Sequence, residues 1–524
     1  MKKIYSSFLL SSLLVCMSTA CDDGSLDHDD VYIPDPVEES DEDDGYSMDP
    51  TATAVIKLKL GEENKHQEID GFGCAFCGWA HRIWNTMERD KVMDDLFGDD
   101  GLKLNIYRGE IYPSYQNPDG SINFGMERDF NRAPNDPYYI DNYWRIYNGE
   151  ECGEQMQLGQ MWTIDYIHNK LKKNDVHYFF SIWSPPGTWK EGYSGNALYG
   201  GQLSSTYYQD YADYMVDFMD AYEQKLGIDI YGISGWNEPD HAMGGWAGCN
   251  WSEDQMSAVT LDYLRPELDR RGYNDVKVVY GENAWWRNAR KFSNNSISKR
   301  PELAQANTII AGHGYSTADS DIVPIEKAEE NNLQVWQTEI CDDKGRDETW
   351  TDAMKWARIY HQYLVNANVN AIVWWAGARP CYSTGENLIQ LEDALPSSTY
   401  YRVERYYSVG QFTRYIERGA HRVDVEKISS EDTKLSEKNL LVSAYVKDDR
   451  YTIVIVNYSQ KKSISTLLEV EGMDFQNMVS YTSTADMKWY RKKLNPSMDG
   501  KRAVDIPKFS VVTITGKLKA NTAE

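Results

Sequence analysis

The sequence predicts an α/β fold, a (β/α)8 barrel with an attached antiparallel β-sandwich side domain. Three observations predict it. Between residues 66 and 400, eight short apolar runs alternate with amphipathic helical stretches, as expected of parallel strands in a closed sheet. From about residue 401 to 524 the chain turns to alternating strands with short polar turns. Two glutamates, Glu238 and Glu339, close the fourth and seventh apolar runs, the strand ends at which such barrels carry their chemistry.

The elements follow in order. Residues 1–21 read as a lipoprotein signal peptide, with Lys2 and Lys3 ahead of an apolar run from Phe8 to Val15. That run is too short to span a bilayer as a helix. Ser18-Thr19-Ala20-Cys21 resembles a bacterial lipobox, with Cys21 the lipidated residue. Residues 22–50 hold thirteen Asp or Glu and no Lys or Arg. Such a segment buries too little apolar surface to offset its ordering, so a disordered acidic tether is expected. An acidic run directly after the lipidated cysteine resembles surface-export signals of some Gram-negative lipoproteins. The expected location is therefore an exported lipoprotein at the outer membrane and cell surface, touching membrane only through its anchor. The chain carries −27, and without those thirteen acids and the two lysines residues 51–524 still carry −16. This disfavours nucleic acid, which needs clustered Lys and Arg.

Residues 51–65 contain an alternating stretch, Thr53–Leu60, that is expected to join the side domain. The eight barrel runs are Ile69–Phe76, Leu104–Arg108, His177–Trp183, Ile230–Asn237, Val276–Glu282, Thr308–Tyr315, Gln334–Glu339 and Ala371–Trp375. The helix from Tyr207 to Leu226 shows one apolar stripe, Tyr211, Tyr214, Met215, Phe218 and Tyr222, which reads as core packing. In the side domain, strands are expected at Leu440–Val446, Tyr451–Asn457, Ser463–Val470 and Ser510–Gly516. Beyond Cys16 and Cys21 there are six cysteines: Cys74, Cys77, Cys152, Cys249, Cys341 and Cys381. Cys74 and Cys77 have metal-ligand spacing, but no second pair follows at a zinc-site distance, so no metal is expected. One or two disulfides around the barrel mouth are expected, with the pairing open.

The two glutamates carry the chemistry. Retaining glycoside hydrolysis needs two facing carboxyls, one protonated as acid and one ionised as nucleophile. Asn237 precedes Glu238, and its amide suits a sugar 2-hydroxyl. Pro239 fixes the chain just after it. Thirteen per cent aromatic residues, 17 of them Trp, would serve sugar stacking as well as core packing. No cofactor is required, since carboxylates supply both proton transfer and attack.

Several motifs together resemble glycoside hydrolase family 30. They are Ile69-Asp-Gly-Phe-Gly73, Ser181-Ile-Trp-Ser-Pro-Pro186 with Trp189-Lys190, Gly200-Gly-Gln-Leu203, and Tyr407-Ser-Val-Gly-Gln-Phe412 with Ile416-Glu-Arg-Gly-Ala-His-Arg422. The resemblance covers most of residues 66–518. It implies Glu238 as acid/base, Glu339 as nucleophile and net retention. It also implies Arg108 beside the nucleophile, Trp183 and Trp189 as stacking rings, His313 and Tyr315 as a strand-six pair, and Trp375 as the floor of a subsite. The spacing from Trp374-Trp375 to Arg379 resembles the glucuronoxylanase branch, where an arginine grips a glucuronic acid substituent. The tyrosine that accompanies it there has no match, because Cys381 takes its place and Tyr382 comes one residue late. The implied substrate is a polysaccharide, first xylan or glucuronoxylan cut internally, then a β-1,6-galactan or β-1,6-glucan. A reading of another class is a catalytically inactive surface glycan-binding lipoprotein. Oligomeric state is not legible.

Overall fold

The computed structural model describes residues 54–112, 153–191, 197, 200–242, 247–392, 399–429, 439–494 and 500–520. Cys21, the expected tether and Cys152 lie outside the described residues.

Eight parallel strands close into a barrel, each overlapping one predicted run, with strands two, five and seven running past the predicted ends to Glu110, Asn283 and Ile340. In chain order they are Gly71–Ala75, Ile106–Glu110, His177–Ser181, Ile230–Ser234, Lys277–Asn283, Thr308–His313, Val335–Ile340 and Ala371–Trp374, with the eighth paired to the first. The strand alternation that places Ile106, Phe179, Val279, Ile309, Ala311, Trp336, Ala371 and Val373 in one buried cluster fills the barrel interior. The outward faces pack on the helices. The Tyr211, Tyr214, Met215, Phe218 and Tyr222 stripe is buried, and its helix ends at Gly227 with φ 71°, a left-handed cap that suits glycine.

The ladders are shorter than the apolar runs at the end that matters. Strands three, four and six stop at Ser181, Ser234 and His313, before Trp183, Asn237 and Tyr315. Beyond these points single backbone hydrogen bonds, such as Ile182 N–H to the Ser234 carbonyl at 3.0 Å and Gly314 N–H to the Glu339 carbonyl at 2.9 Å, replace the regular ladder. Glu238 is thus a post-strand residue with φ 47°, tied by its N–H to the Glu282 carbonyl at 3.0 Å, while Glu339 lies inside strand seven.

The side domain is one mostly antiparallel sheet. Its order is Tyr490–Lys493, Met473–Ser483, Ser510–Ala520, Arg450–Asn457, Leu440–Lys447, His421–Ser429, Ala54–Lys59, Ile464–Val470 and Lys501–Ile506, with Lys65–Glu68 paired beside His421–Ser429. The sheet curls so that residues from both ends, such as Phe475 and Ile514 with Leu468 and Ile506, share one core. Strand Ala54–Lys59 pairs antiparallel with His421–Ser429 and parallel with Ile464–Val470. Period-two alternation divides strand Arg450–Asn457: Ile453 and Ile455 face the side-domain core, whereas Val454 and Val456 join the barrel core. Among the described residues, no helix is long and apolar enough to cross a membrane.

The disulfide expectation fails for the described residues. Cys74, Cys77, Cys249, Cys341 and Cys381 are all buried free thiols. They serve separate packing sites: Cys74 belongs to the main core, Cys77 lies in the mouth cluster with Trp183, and Cys381 faces the Thr384 hydroxyl at 2.9 Å.

Gly73 lies opposite Ile106 on strand two, and a Cβ there would stand 2.3 Å from the Ile106 carbonyl oxygen. Gly73→Ala is expected to cost about 1–3 kcal/mol by overpacking, read as a lower midpoint of unfolding. An unchanged midpoint would mean that the first two strands tolerate wider spacing.

Candidate active site

The interior layer at the C-terminal ends of the strands is where chemistry gathers. Two residues on from interior Ile106, Phe179 and Ala311 come Arg108, Ser181 and His313, so strand alternation puts these polar side chains at the top of the barrel core. The ladders between strands five, six and seven slip register at Ala311/Gly312 and Gly312/His313, and the ladder from strand seven to eight slips between Gln337 and Ile340. Such bulges re-aim side chains, and here they bring Glu282 and Glu339 onto the same layer.

Arg108 is the centre of this layer and is fully buried. Its Nη1 donates to Glu339 Oε2. Its Nη2 donates to Asn237 Oδ1 at 2.7 Å and lies 3.0 Å from Glu282 Oε1. Its guanidinium carbon sits 4.8 Å from the centre of the Trp183 ring. The Asn237 side-chain oxygen thus accepts from Arg108, which fixes the orientation of its amide. The second Glu339 oxygen accepts from the Tyr315 hydroxyl at 2.6 Å.

His313 stands among three carboxyls. Its Nδ1 lies 3.2 Å from Glu238 Oε1 and 3.8 Å from Glu339 Oε1, and its Nε2 lies 3.9 Å from Glu282 Oε1. Burial opposes its charge, but Glu339, Glu238 and Glu282 outweigh burial and lift its pKa to about 9. Glu282 behaves oppositely. Burial pushes its carboxyl up, yet Arg108, His313 and the Ser234 hydroxyl hold it down at about 2. Its Oε2 accepts from Ser181 and Ser234 at 2.8 and 2.7 Å. Glu238 is raised above the carboxylate range, first by burial and then by the Glu339 charge, with the His313 hydrogen bond opposing. Burial beside the Glu339 carboxyl therefore favours the protonated form of Glu238.

One ligand atom from each of Glu238, His313 and Glu339 lies within 4.8 Å of the others, close enough in principle for a metal. Arg108 and a cationic His313 already occupy the electrostatic role a metal would play, so the donor set does not suit one.

The other predicted residues are placed as follows. Trp375 is half-buried, 6.0 Å from Trp183 between ring centres, and its peptide bond to Ala376 is cis. Trp189 packs in the main core, stacked on Tyr207 at 5.5 Å and nearly perpendicular to Tyr214 at 6.0 Å, rather than on the mouth cluster with Trp183. The Arg379 guanidinium lies 3.5 Å from the centre of the Trp79 ring and is ion-paired with Glu386. Sequence reasoning missed Glu282, Ser181 as a partner, Trp79 and Glu386. Glu282 was within reach, since it ends strand five by the same rule that selects Glu339.

Glu282 is held below its unfolded pKa, so its stabilisation is full above about 4.5 and lost as pH falls toward about 2. His313 is held above its unfolded value, so its stabilisation is full below about 6.5 and lost as pH rises through about 9. Glu282→Gln should remove about 3 kcal/mol near neutral pH, and the difference from wild type should shrink as pH drops below about 4. Denaturant unfolding across pH reads both. A difference that is flat with pH would mean that Glu282 is not ionised in the folded chain.

The family model for glycosyl hydrolase family 59 matches residues 153–413. A glucuronoxylanase of Bacillus subtilis is 26% identical over 290 residues, covering 54% of this chain, and the match spans only 61% of that relative's length. Lysosomal acid glucosylceramidase of Mus musculus is 24% identical over 469 residues, covering 82% of each chain. The solved catalytic domain of a family 30 xylanase C from Talaromyces cellulolyticus superposes with a TM-score of 0.69 at 21% identity, over 88% of this chain and 100% of its own. That structure has the same fold of barrel with side domain. The chain is similar to clan A glycoside hydrolases of the family 30 type and shares their fold.

Proposed function

We propose that the chain is a retaining β-glycoside hydrolase that cuts a polysaccharide internally, with xylan as the first substrate. The observation that carries this reading is the pairing of Glu238 and Glu339, one oxygen of each within 4.8 Å of the other and of His313. Retaining enzymes hold their carboxyls about 5–5.5 Å apart, whereas inverting ones leave about 6.5–9.5 Å for a water.

In this reading a Glu339 oxygen attacks the anomeric carbon while Glu238 gives its proton to the departing glycosidic oxygen. A glycosyl-enzyme ester forms as the glycosidic C–O bond breaks. Water then attacks the same carbon as Glu238 takes its proton, and Glu339 leaves as carboxylate. Arg108 and Tyr315 aim the two Glu339 oxygens. In this reading the Asn237 amide N–H bonds a sugar hydroxyl. Trp183 and Trp375 offer adjacent apolar walls for sugar rings.

A β-1,6-linked galactan or glucan is the second reading. It is favoured by the Arg379–Glu386 pair, which occupies the one side chain that pointed toward glucuronoxylan. We also propose an exported, cell-surface lipoprotein anchored at Cys21, which rests on the N-terminal sequence.

Product profiling of the purified chain on glucuronoxylan, arabinoxylan, β-1,6-galactan and β-1,6-glucan tests the substrate. Xylo-oligosaccharides support the first reading, and products from a β-1,6-linked glycan replace it with the second. The anomer released first should keep the configuration of the bond cut, and inversion would sink the two-step mechanism. Glu339→Ala should abolish turnover and Glu238→Gln should lower kcat by about 10²–10⁴, whereas a glycan-binding protein would keep its function in both. Because the His313 contact lowers the Glu238 pKa, His313→Gln should move the basic limb of kcat/KM to higher pH.

A further inference from the structure

Glu386 has three partners, and each bears on the cleft rim. Its Oε2 accepts from Trp375 Nε1 at 3.2 Å and pairs with Arg379, and its Oε1 accepts from the Thr384 hydroxyl at 2.6 Å. Both carboxylate oxygens are thus in use. The Glu386 and Arg379 side chains retain only 19% and 14% exposure, so the pair is largely shielded from water. The stretch that carries Glu386 is held from both sides. Arg405 donates to the carbonyls of Gly385 and Asn387 at 2.9 Å each, and Trp374 Nε1 donates to the Glu386 carbonyl at 2.8 Å. Contacts run without a break from this pair to the paired carboxyls: Trp375 faces Trp183, and Trp183 lies against Arg108, which holds Glu339.

An arginine recognises a substrate carboxylate through a free planar fork. Here one arm of the fork, Nη1, is already engaged by an internal carboxylate, and Nε is buried away from the surface. A uronate arriving at Arg379 would have to share it with Glu386, a like charge in a poorly hydrated corner. An uncharged sugar meets no such conflict, and it still finds the Trp375 ring fixed by its N–H. We propose that Glu386 is a specificity-determining residue. Its carboxylate takes the place of a substrate carboxylate on Arg379, so this part of the cleft selects uncharged sugar units. The proposal rests on the reading of the cleft as a saccharide site, and it adds which saccharides are disfavoured there.

Free glucuronate is the probe, titrated by calorimetry into wild type, Arg379→Gln, Glu386→Gln and the double variant. The expected result is no saturable binding to wild type, binding to Glu386→Gln, and its loss in the double variant. Two outcomes overturn the proposal: glucuronate binding to wild type that disappears in Arg379→Gln, or no gain in a folded Glu386→Gln. The first needs no Glu386 variant, so the proposal stays exposed even if that variant misfolds. On xylo-oligosaccharides, Glu386→Gln should raise the ratio of kcat/KM for glucuronate-bearing over plain chains by about tenfold or more. If wild type cuts neither, the xylan reading fails, and the glucuronate titration still decides the role of Glu386.

Discussion

A single buried guanidinium organises the top of this barrel. Arg108 is wholly out of water, and an isolated cation there would be untenable. It is made tolerable by side chains from four other strands or strand ends: Ser181 of strand three, Asn237 after strand four, Glu282 of strand five and Glu339 of strand seven. Because these partners come from separate strands, the ion network also fixes how those strand ends sit relative to each other. Glu282 gives that network a permanent anion, itself anchored by two serine hydroxyls. The remaining pair, Glu238 and Glu339, can then differ in protonation without leaving Arg108 uncompensated.

The three carboxyls around His313 show how one residue type takes different states by surroundings alone. Glu282 is next to Arg108 and two hydroxyls and stays low, whereas Glu238 is buried beside Glu339 and is raised. His313 couples them, and its own charge is sustained by the carboxyls it contacts. In the proposed reading, where Glu238 gives and then takes a proton, opposed influences of this kind suit it.

The side domain braces the barrel. Helix Glu404–Thr413 packs between the two cores, and its Arg405 reaches Asp352 of the helix after strand seven as well as the backbone around Glu386. The rim beside Trp375 is therefore held by residues well outside the barrel strands. That gives the side domain a role in cleft geometry.

The sequence by itself determined the eight strands, the helical stripe at Tyr211 to Tyr222 and the two glutamates, because each depends on local periodicity and on which strand end a residue follows. The side-domain strands His421–Ser429, Met473–Ser483, Tyr490–Lys493 and Lys501–Ile506 were not legible, since charged residues interrupt their alternation and pairing with distant strands defines them. The cysteines misled for a related reason: closeness to strand ends says nothing about whether two thiols face each other. Only the tertiary structure could assign Arg379, whose charge suited a ligand until Glu386, seven residues on, was seen to fold back onto it. It alone also brought Glu282 to Arg108. Partnerships among buried charges are settled by which strands are neighbours and by register slips at their ends, and neither is written in any one segment of the chain.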